Sequence, residues 1–161
     1  MESKEQNQAK TESISELIDS GQFERAEQLL NQTWVKNDPM TIVHQAEVAV
    51  YFARLDEAEE LLDQIELREL GIEQAARYTL ARGELHYWRY EYEEAEKQFQ
   101  ATHYMYELLE NPLGRAWALY NLGRLARRTA KYQVAEEMLT QAKSGLNPDF
   151  AIGFEKNGLN P

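Results

Sequence analysis

The chain has 161 residues, of which 43% are hydrophobic and 28% charged, a composition typical of one soluble globular domain. It contains no cysteine, which excludes disulfides and thiolate metal sites. The formal net charge of −11 disfavours binding to nucleic acid or to an anionic membrane, because both reward a basic surface.

Hydrophobic periodicity and turn residues predict eight helices and no strand. We predict the helices over about 12–20, 23–36, 40–53, 56–69, 73–90, 93–110, 114–130 and 133–144. Asp38 is expected to cap the third helix, with Pro39 at its first position. The predicted organisation is a flexible lead over 1–11, a helical domain over 12–147, and a tail over 148–161. That tail is either a cover for the last helix or the start of a truncated further repeat.

No segment of the chain has the character of a signal or a membrane span. The N-terminus, MESKEQNQAK, has no apolar core, and the longest apolar stretch, Val48 to Ala53, is too short to cross a bilayer. We therefore expect no membrane association and a cytoplasmic location.

The negative charge is concentrated in the first half of the chain. Residues 1–75 carry 17 acidic and 6 basic side chains, whereas residues 76–161 carry 11 of each. Within the second half, the segment from Gly114 to Lys131 contains no acidic residue. Its five basic residues are Arg115, Arg124, Arg127, Arg128 and Lys131.

Two stretches of the chain repeat one spacing of small and large residues. Gly83 is followed by an aromatic residue, an alanine and a large apolar residue, and Gly123 is followed by the same types at the same offsets. The two sets are Gly83, Tyr92, Ala95 and Phe99, and Gly123, Tyr132, Ala135 and Leu139. Alanines at positions 26 and 58 mark two weaker copies upstream. Such spacing predicts pairs of closely packed helices stacked along the chain.

This pattern resembles the tetratricopeptide repeat family over residues 12–144, with the last two units closest to it. Ile14 and Ala46 stand where the first two units would have the glycine. The interval of forty residues resembles an extended variant found in bacterial peptide-sensing and scaffold proteins. The resemblance implies an all-α, right-handed α-solenoid of about four helix-turn-helix repeats. It also implies that the first helices line a concave groove that binds peptides or partner segments.

Helical spacing then assigns faces to the helices that would line this groove. In the fifth helix, Gly83, His86 and Tyr90 are predicted on the buried side, and the opposite stripe faces the groove. The predicted partner-binding residues are Arg77, Glu84, Tyr87, Trp88, Trp117, Tyr120, Asn121, Arg124, Arg127 and Arg128.

Two interpretations of this stripe stay open. In one, the aromatic residues anchor a partner and the arginines bind an acidic segment or a C-terminal carboxylate. In the other, the aromatic residues pack between neighbouring helix pairs and the arginines pair with nearby glutamates. The family's two-carboxylate clamp is not expected, because Leu80 and Glu84 stand where it needs Lys and Asn.

The sequence gives little support for catalysis. His44, His86 and His103 lie in different predicted helices without a second metal ligand at suitable spacing. We expect no enzyme activity, no metal and no cofactor. The leading hypothesis is a protein-interaction module that binds a peptide or partner segment, as the sensor or scaffold part of a larger regulator. The alternative is a self-assembling repeat unit that forms a homo-oligomer.

Overall fold

A computed structural model describes residues 13–32 and 38–145 of the chain. The predicted lead over 1–11 and the predicted tail over 148–161 lie outside the described residues. The division of the chain into these segments therefore stays a prediction.

The described residues form eight helices in consecutive pairs, and no strand occurs among them. The helices are α1 over residues 13–19, α2 (Phe23–Gln32), α3 (Pro39–Tyr51), α4 (Leu55–Asp63), α5 (Ile72–Trp88), α6 (Tyr92–Leu108), α7 (Pro112–Arg128) and α8 (Tyr132–Ser144). A short 3₁₀ helix (Leu67–Glu69) follows α4. The predicted all-α repeat solenoid is confirmed.

The fourth helix is shorter than predicted. We expected it over 56–69, but α4 ends at Asp63 and the chain continues through a 3₁₀ turn. Ile65 and Leu70 both pack against the core formed by α3, α4 and α5. The tighter turn between them replaces the last part of the predicted helix. Helices α5 to α8 begin and end within two residues of their predicted bounds.

Side-chain caps start the first helix of two repeats. The Asp38 carboxylate accepts a hydrogen bond from the backbone N–H of Thr41 at 3.2 Å, and Pro39 is the first residue of α3, as predicted. Asn111 accepts in the same way from the N–H of Gly114 at 2.9 Å, with Pro112 next to it. Each cap fixes where a new repeat begins.

Small residues set the distance between paired helices. A Cβ atom at Gly83 would lie 2.4 Å from Cε1 of Phe99, and one at Gly123 would lie 2.7 Å from Cγ of Leu139. The four repeat alanines, Ala26, Ala58, Ala95 and Ala135, are fully buried or nearly so. The repeated spacing therefore records close helix approach within each pair, as the sequence predicted.

The turns inside the helix pairs share one left-handed position. Gly21, Ala53, Tyr90 and Ala130 all have positive φ there, between 60° and 76°. At all four turns, the next residue's N–H donates to the carbonyl five residues back, as Glu91 N–H does to His86. This geometry carries Tyr90 outward, so it is 74% exposed and the prediction that it is buried is wrong. His86, predicted on the same buried side, is only partly buried.

We predict that Gly83→Ala lowers the free energy of unfolding by about 1–2 kcal/mol. The new methyl group forces the Phe99 ring to move, and only part of that cost is offset by the better helix propensity of alanine. Urea unfolding followed by circular dichroism measures the change.

Gly145→Ala is the matched control, because its added Cβ would have no neighbour closer than 3.5 Å. An equal loss in both variants would contradict the steric explanation.

Candidate functional site

Ion pairs join the first helices of consecutive repeats along one side of the structure. We call this side, formed by α1, α3, α5 and α7, the inner face. Arg77 of α5 donates through Nε to the carboxylate of Glu47 on α3 at 3.1 Å, and through Nη2 to Asp19 on α1 at 2.9 Å. One side chain therefore connects the first helices of three repeats.

Glu47 lies at the centre of this connection. Its carboxylate is also 2.9 Å from Nδ1 of the fully buried His44. Burial alone would raise the pKa of Glu47, but the positive charge of Arg77 and the contact with His44 outweigh it. The pKa is held below its ordinary value, and the carboxylate stays ionised.

A second ion pair joins α7 to α5, the first helices of the last two repeats. Nη2 of Arg124 donates to Oε2 of Glu84 at 2.6 Å and to Oδ1 of Asn121 at 2.8 Å. Arg124 directly follows Gly123, and Glu84 directly follows Gly83. The residue after the glycine thus faces its counterpart in the neighbouring repeat.

Aromatic rings surround the Arg124 guanidinium. Its carbon atom lies 4.0 Å from the ring centre of Tyr87, 5.7 Å from that of Tyr120 and 5.8 Å from that of Trp88. Burial raises the pKa of Tyr120 to about 12, so its hydroxyl stays protonated. Arg124 is therefore held between an acid and several rings, which limits its availability to a partner.

The end of α7 carries cations that are open to solvent. Arg127 and Arg128 are both exposed, and neither forms an ion pair with another of the described residues. Nε of Arg128 donates to the hydroxyl of Tyr87 at 3.0 Å, and this bond raises the pKa of Arg128. Trp88, 45% exposed, follows Tyr87 in the chain. Arg127, Arg128 and Trp88 form the accessible part of the predicted stripe.

The structure divides the ten predicted binding residues by location. Arg77 lies apart, in the connection to Glu47 and Asp19. Most of the others gather around Arg124: Glu84, Tyr87, Trp88, Tyr120, Asn121 and Arg128. Trp117 joins this group through Tyr120, with ring centres 6.0 Å apart, and Arg127 is exposed near the end of α7. Within the group, Tyr87, Tyr120 and Asn121 are buried and so support the surface from beneath.

Sequence reasoning missed two side chains of this surface. Asp19 is 58 residues from Arg77, and no spacing rule joins them. Tyr90 did carry a signal, because the equivalent turn positions hold the small residues Gly21, Ala53 and Ala130. A large aromatic residue at a position otherwise occupied by small ones indicates exposure.

The described residues offer no metal site, because no three His, Asp or Glu side chains among them converge as ligands would. None of the helices in residues 13–32 and 38–145 is long and apolar enough to cross a membrane.

Comparison with known proteins identifies one family. A family model described as tetratricopeptide repeat matches residues 74–146. This range begins near the start of α5 and includes α6, α7 and α8, the two repeats with the glycine signature. No curated protein and no solved structure matches the chain.

We predict that Glu47→Gln lowers the free energy of unfolding at neutral pH by about 3 kcal/mol, because it leaves Arg77 without its buried partner. The wild-type carboxyl has a lower pKa folded than unfolded. Its contribution is therefore complete above the ordinary value of 4.5 and is lost as pH falls below it.

Urea unfolding between pH 7 and pH 3 measures this contribution. The difference between wild type and Glu47→Gln should shrink as the pH falls. A difference that is constant over this range would contradict the ionic origin.

We predict a favourable coupling of about 1 kcal/mol between Arg124 and Glu84 in a double-mutant cycle of Arg124→Gln and Glu84→Gln. Arg124→Gln alone should cost about 2 kcal/mol, because it removes the ion pair and the contact with the rings.

Unfolding of the four variants in urea gives the coupling. Arg127→Gln is the control, since a change at this exposed side chain should stay within about 0.5 kcal/mol. Additive effects of the two substitutions would show that the pair contributes no net stability.

Proposed function

Because residues 74–146 belong to the tetratricopeptide repeat family, whose repeats generally mediate protein–protein interactions, we propose that this chain binds a segment of a partner protein on its inner face. The observation that carries the proposal is the exposed Arg128, bonded to Tyr87 next to the exposed ring of Trp88, with the exposed Arg127 before it in α7. Arginine and tryptophan are the residue types most often found at the energetic centre of protein interfaces.

The chemistry of this surface favours an acidic segment or a C-terminal carboxylate. Between Gly114 and Lys131 the chain has no acidic residue, so α7 itself supplies no counter-charge for Arg127 and Arg128. Arginine can pair bidentately with a carboxylate through two parallel N–H groups. A partner carboxylate would supply the counter-charge that α7 lacks.

The buried members of the predicted stripe have a supporting role in this proposal. The pairing of Arg124 with Glu84, together with the packing of Tyr87 and Tyr120, fixes the surface from which Trp88 and Arg128 project. A rigid surface binds with a smaller loss of conformational entropy. Arg77 holds α1, α3 and α5 together and so maintains the shape of the same face.

The proposed setting is the cytoplasm, and the proposed role is that of a sensor or scaffold part within a larger regulator. The forty-residue spacing between Gly83 and Gly123 supports this role through its resemblance to extended bacterial repeats. The proposal includes no catalytic step, and it invokes no cofactor.

The second candidate function, self-assembly, is favoured by the uneven charge of the chain. The acidic first half of one copy could pair with the basic α7 of another. Light scattering at several salt concentrations tests this, because charge-driven assembly weakens as screening increases. A chain that stays monomeric at low salt would exclude it.

We predict that Arg127→Gln with Arg128→Gln abolishes peptide binding. The probe is the pool selected by the wild-type chain from a random twelve-residue peptide display library, and fluorescence anisotropy measures its affinity. Removing both cations takes away the carboxylate contacts, while folding should be retained because both side chains are exposed.

The matched control is Arg115→Gln with Lys143→Gln, which changes the net charge equally at two exposed positions outside the proposed site. If both double variants lose affinity to the same extent, binding follows overall charge and not this surface. If neither loses affinity, the site lies elsewhere.

A further inference from the structure

The open part of the inner face continues into an aromatic turn between α5 and α6. We call Tyr87, Trp88, Tyr90 and Tyr92 the aromatic corner. The Tyr87 ring centre lies 5.4 Å from that of Trp88 and 6.0 Å from that of Tyr92, and Tyr92 lies 6.3 Å from Tyr90. Trp88 and Tyr90 are the exposed members of this continuous set of rings.

Tyr90 occupies a backbone conformation that does not suit it. Its φ of 63° lies in the left-handed region, where a bulky side chain is strained and glycine is preferred. The equivalent turns use Gly21, Ala53 and Ala130. A large ring is thus kept exposed at a position where the fold itself requires only a small residue, and such strain concentrates at functional sites.

The equivalent ring of the preceding repeat has a stacking partner, although it is 52% exposed. Tyr51, at the position that corresponds to Trp88, stacks on Phe23 with ring centres 3.9 Å apart and an interplanar angle of 6°. Trp88 instead meets Tyr87 edge-on, at 89°. Its exposed surface has no comparable stacking partner among the described residues.

Charge distinguishes the two sides of the corner. On the α6 side, Glu91 contacts Nδ1 of His86 at 2.6 Å, and Glu94 pairs with Lys97 at 2.8 Å. On the α7 side, Arg128 reaches Tyr87, and neither it nor Arg127 has an acidic partner among the described residues. The α7 side of the corner therefore carries cations that have no acidic partner among the described residues.

We propose that the aromatic corner is a subsite for one large apolar side chain of the bound segment, and that Arg127 and Arg128 take a carboxylate close to it in sequence. The inference rests on the proposed function and specifies its ligand. The recognised segment carries an aromatic or large aliphatic residue within a few positions of an acidic one. Apolar contact at the rings removes water beside the arginines and so strengthens their pairing with the carboxylate.

The test uses the same random twelve-residue library and the same selected pool. The pool should be enriched in peptides that combine an acidic residue with Phe, Trp, Tyr, Leu or Ile nearby.

Trp88→Ala and Tyr90→Gly should each weaken the binding of this pool roughly tenfold, which corresponds to about 1.4 kcal/mol. Tyr90→Gly is the sharper variant, because glycine suits the left-handed turn and the fold is retained. Tyr104→Ala is the control. It removes an exposed ring of α6 outside the corner and should leave the affinity unchanged.

The outcomes separate this inference from the proposed function. An acidic pool without large apolar residues, bound equally by Tyr90→Gly and Trp88→Ala but not by the Arg127 and Arg128 double variant, would overturn the subsite and leave the function standing. A wild-type chain that selects no peptide would overturn both. A dimer in sedimentation velocity that is lost in Tyr90→Gly would assign the corner to a second copy of the chain and overturn the peptide subsite.

Discussion

The close approach of Phe99 to the bare backbone of Gly83 sets the geometry on which the rest of the structure depends. With no side chain at Gly83, the ring lies against α5 and fixes how α5 and α6 cross. Leu139 and Gly123 repeat the contact one unit later. Because the two pairs cross alike, equivalent positions of α5 and α7 come to the same level of the inner face. Only then can Arg124, one residue after its glycine, meet Glu84, one residue after its own.

The inner face is built from charges with two different roles. Arg77 and Arg124 are largely enclosed, and their carboxylate partners come from other repeats. Their cost of leaving water is offset by ion pairs and, for Arg124, by the rings around it. Arg127 and Arg128 stay exposed and unmatched, one helical turn further on. The sequence alone treats Arg124, Arg127 and Arg128 as equivalent anion contacts, and only the coordinates separate the supporting residue from the accessible ones.

Most of the fold could be predicted because its signals are local. Glycines, alanines and aromatic residues at fixed offsets, with Asp38 and Pro39 at a helix start, specify helix pairs without reference to distant residues. The site could be predicted only as a stripe of residues. Helical spacing identifies the helix face on which a side chain lies, but it does not show how deeply that side chain is buried. Tyr87 and Tyr120 were therefore predicted as contact residues, although neighbouring side chains bury both of them. The prediction that Tyr90 is buried was wrong for another reason. The direction of its side chain is set by one left-handed backbone angle and not by the helix period.

Arg77 has a consequence for how the molecule unfolds. In an ideal solenoid each repeat interacts only with its immediate neighbours, so a one-dimensional nearest-neighbour model describes its folding energetics. The bond from Arg77 to Asp19 reaches past the second repeat to the first. That link adds a next-nearest-neighbour term, which couples the opening of the first repeat to that of the third.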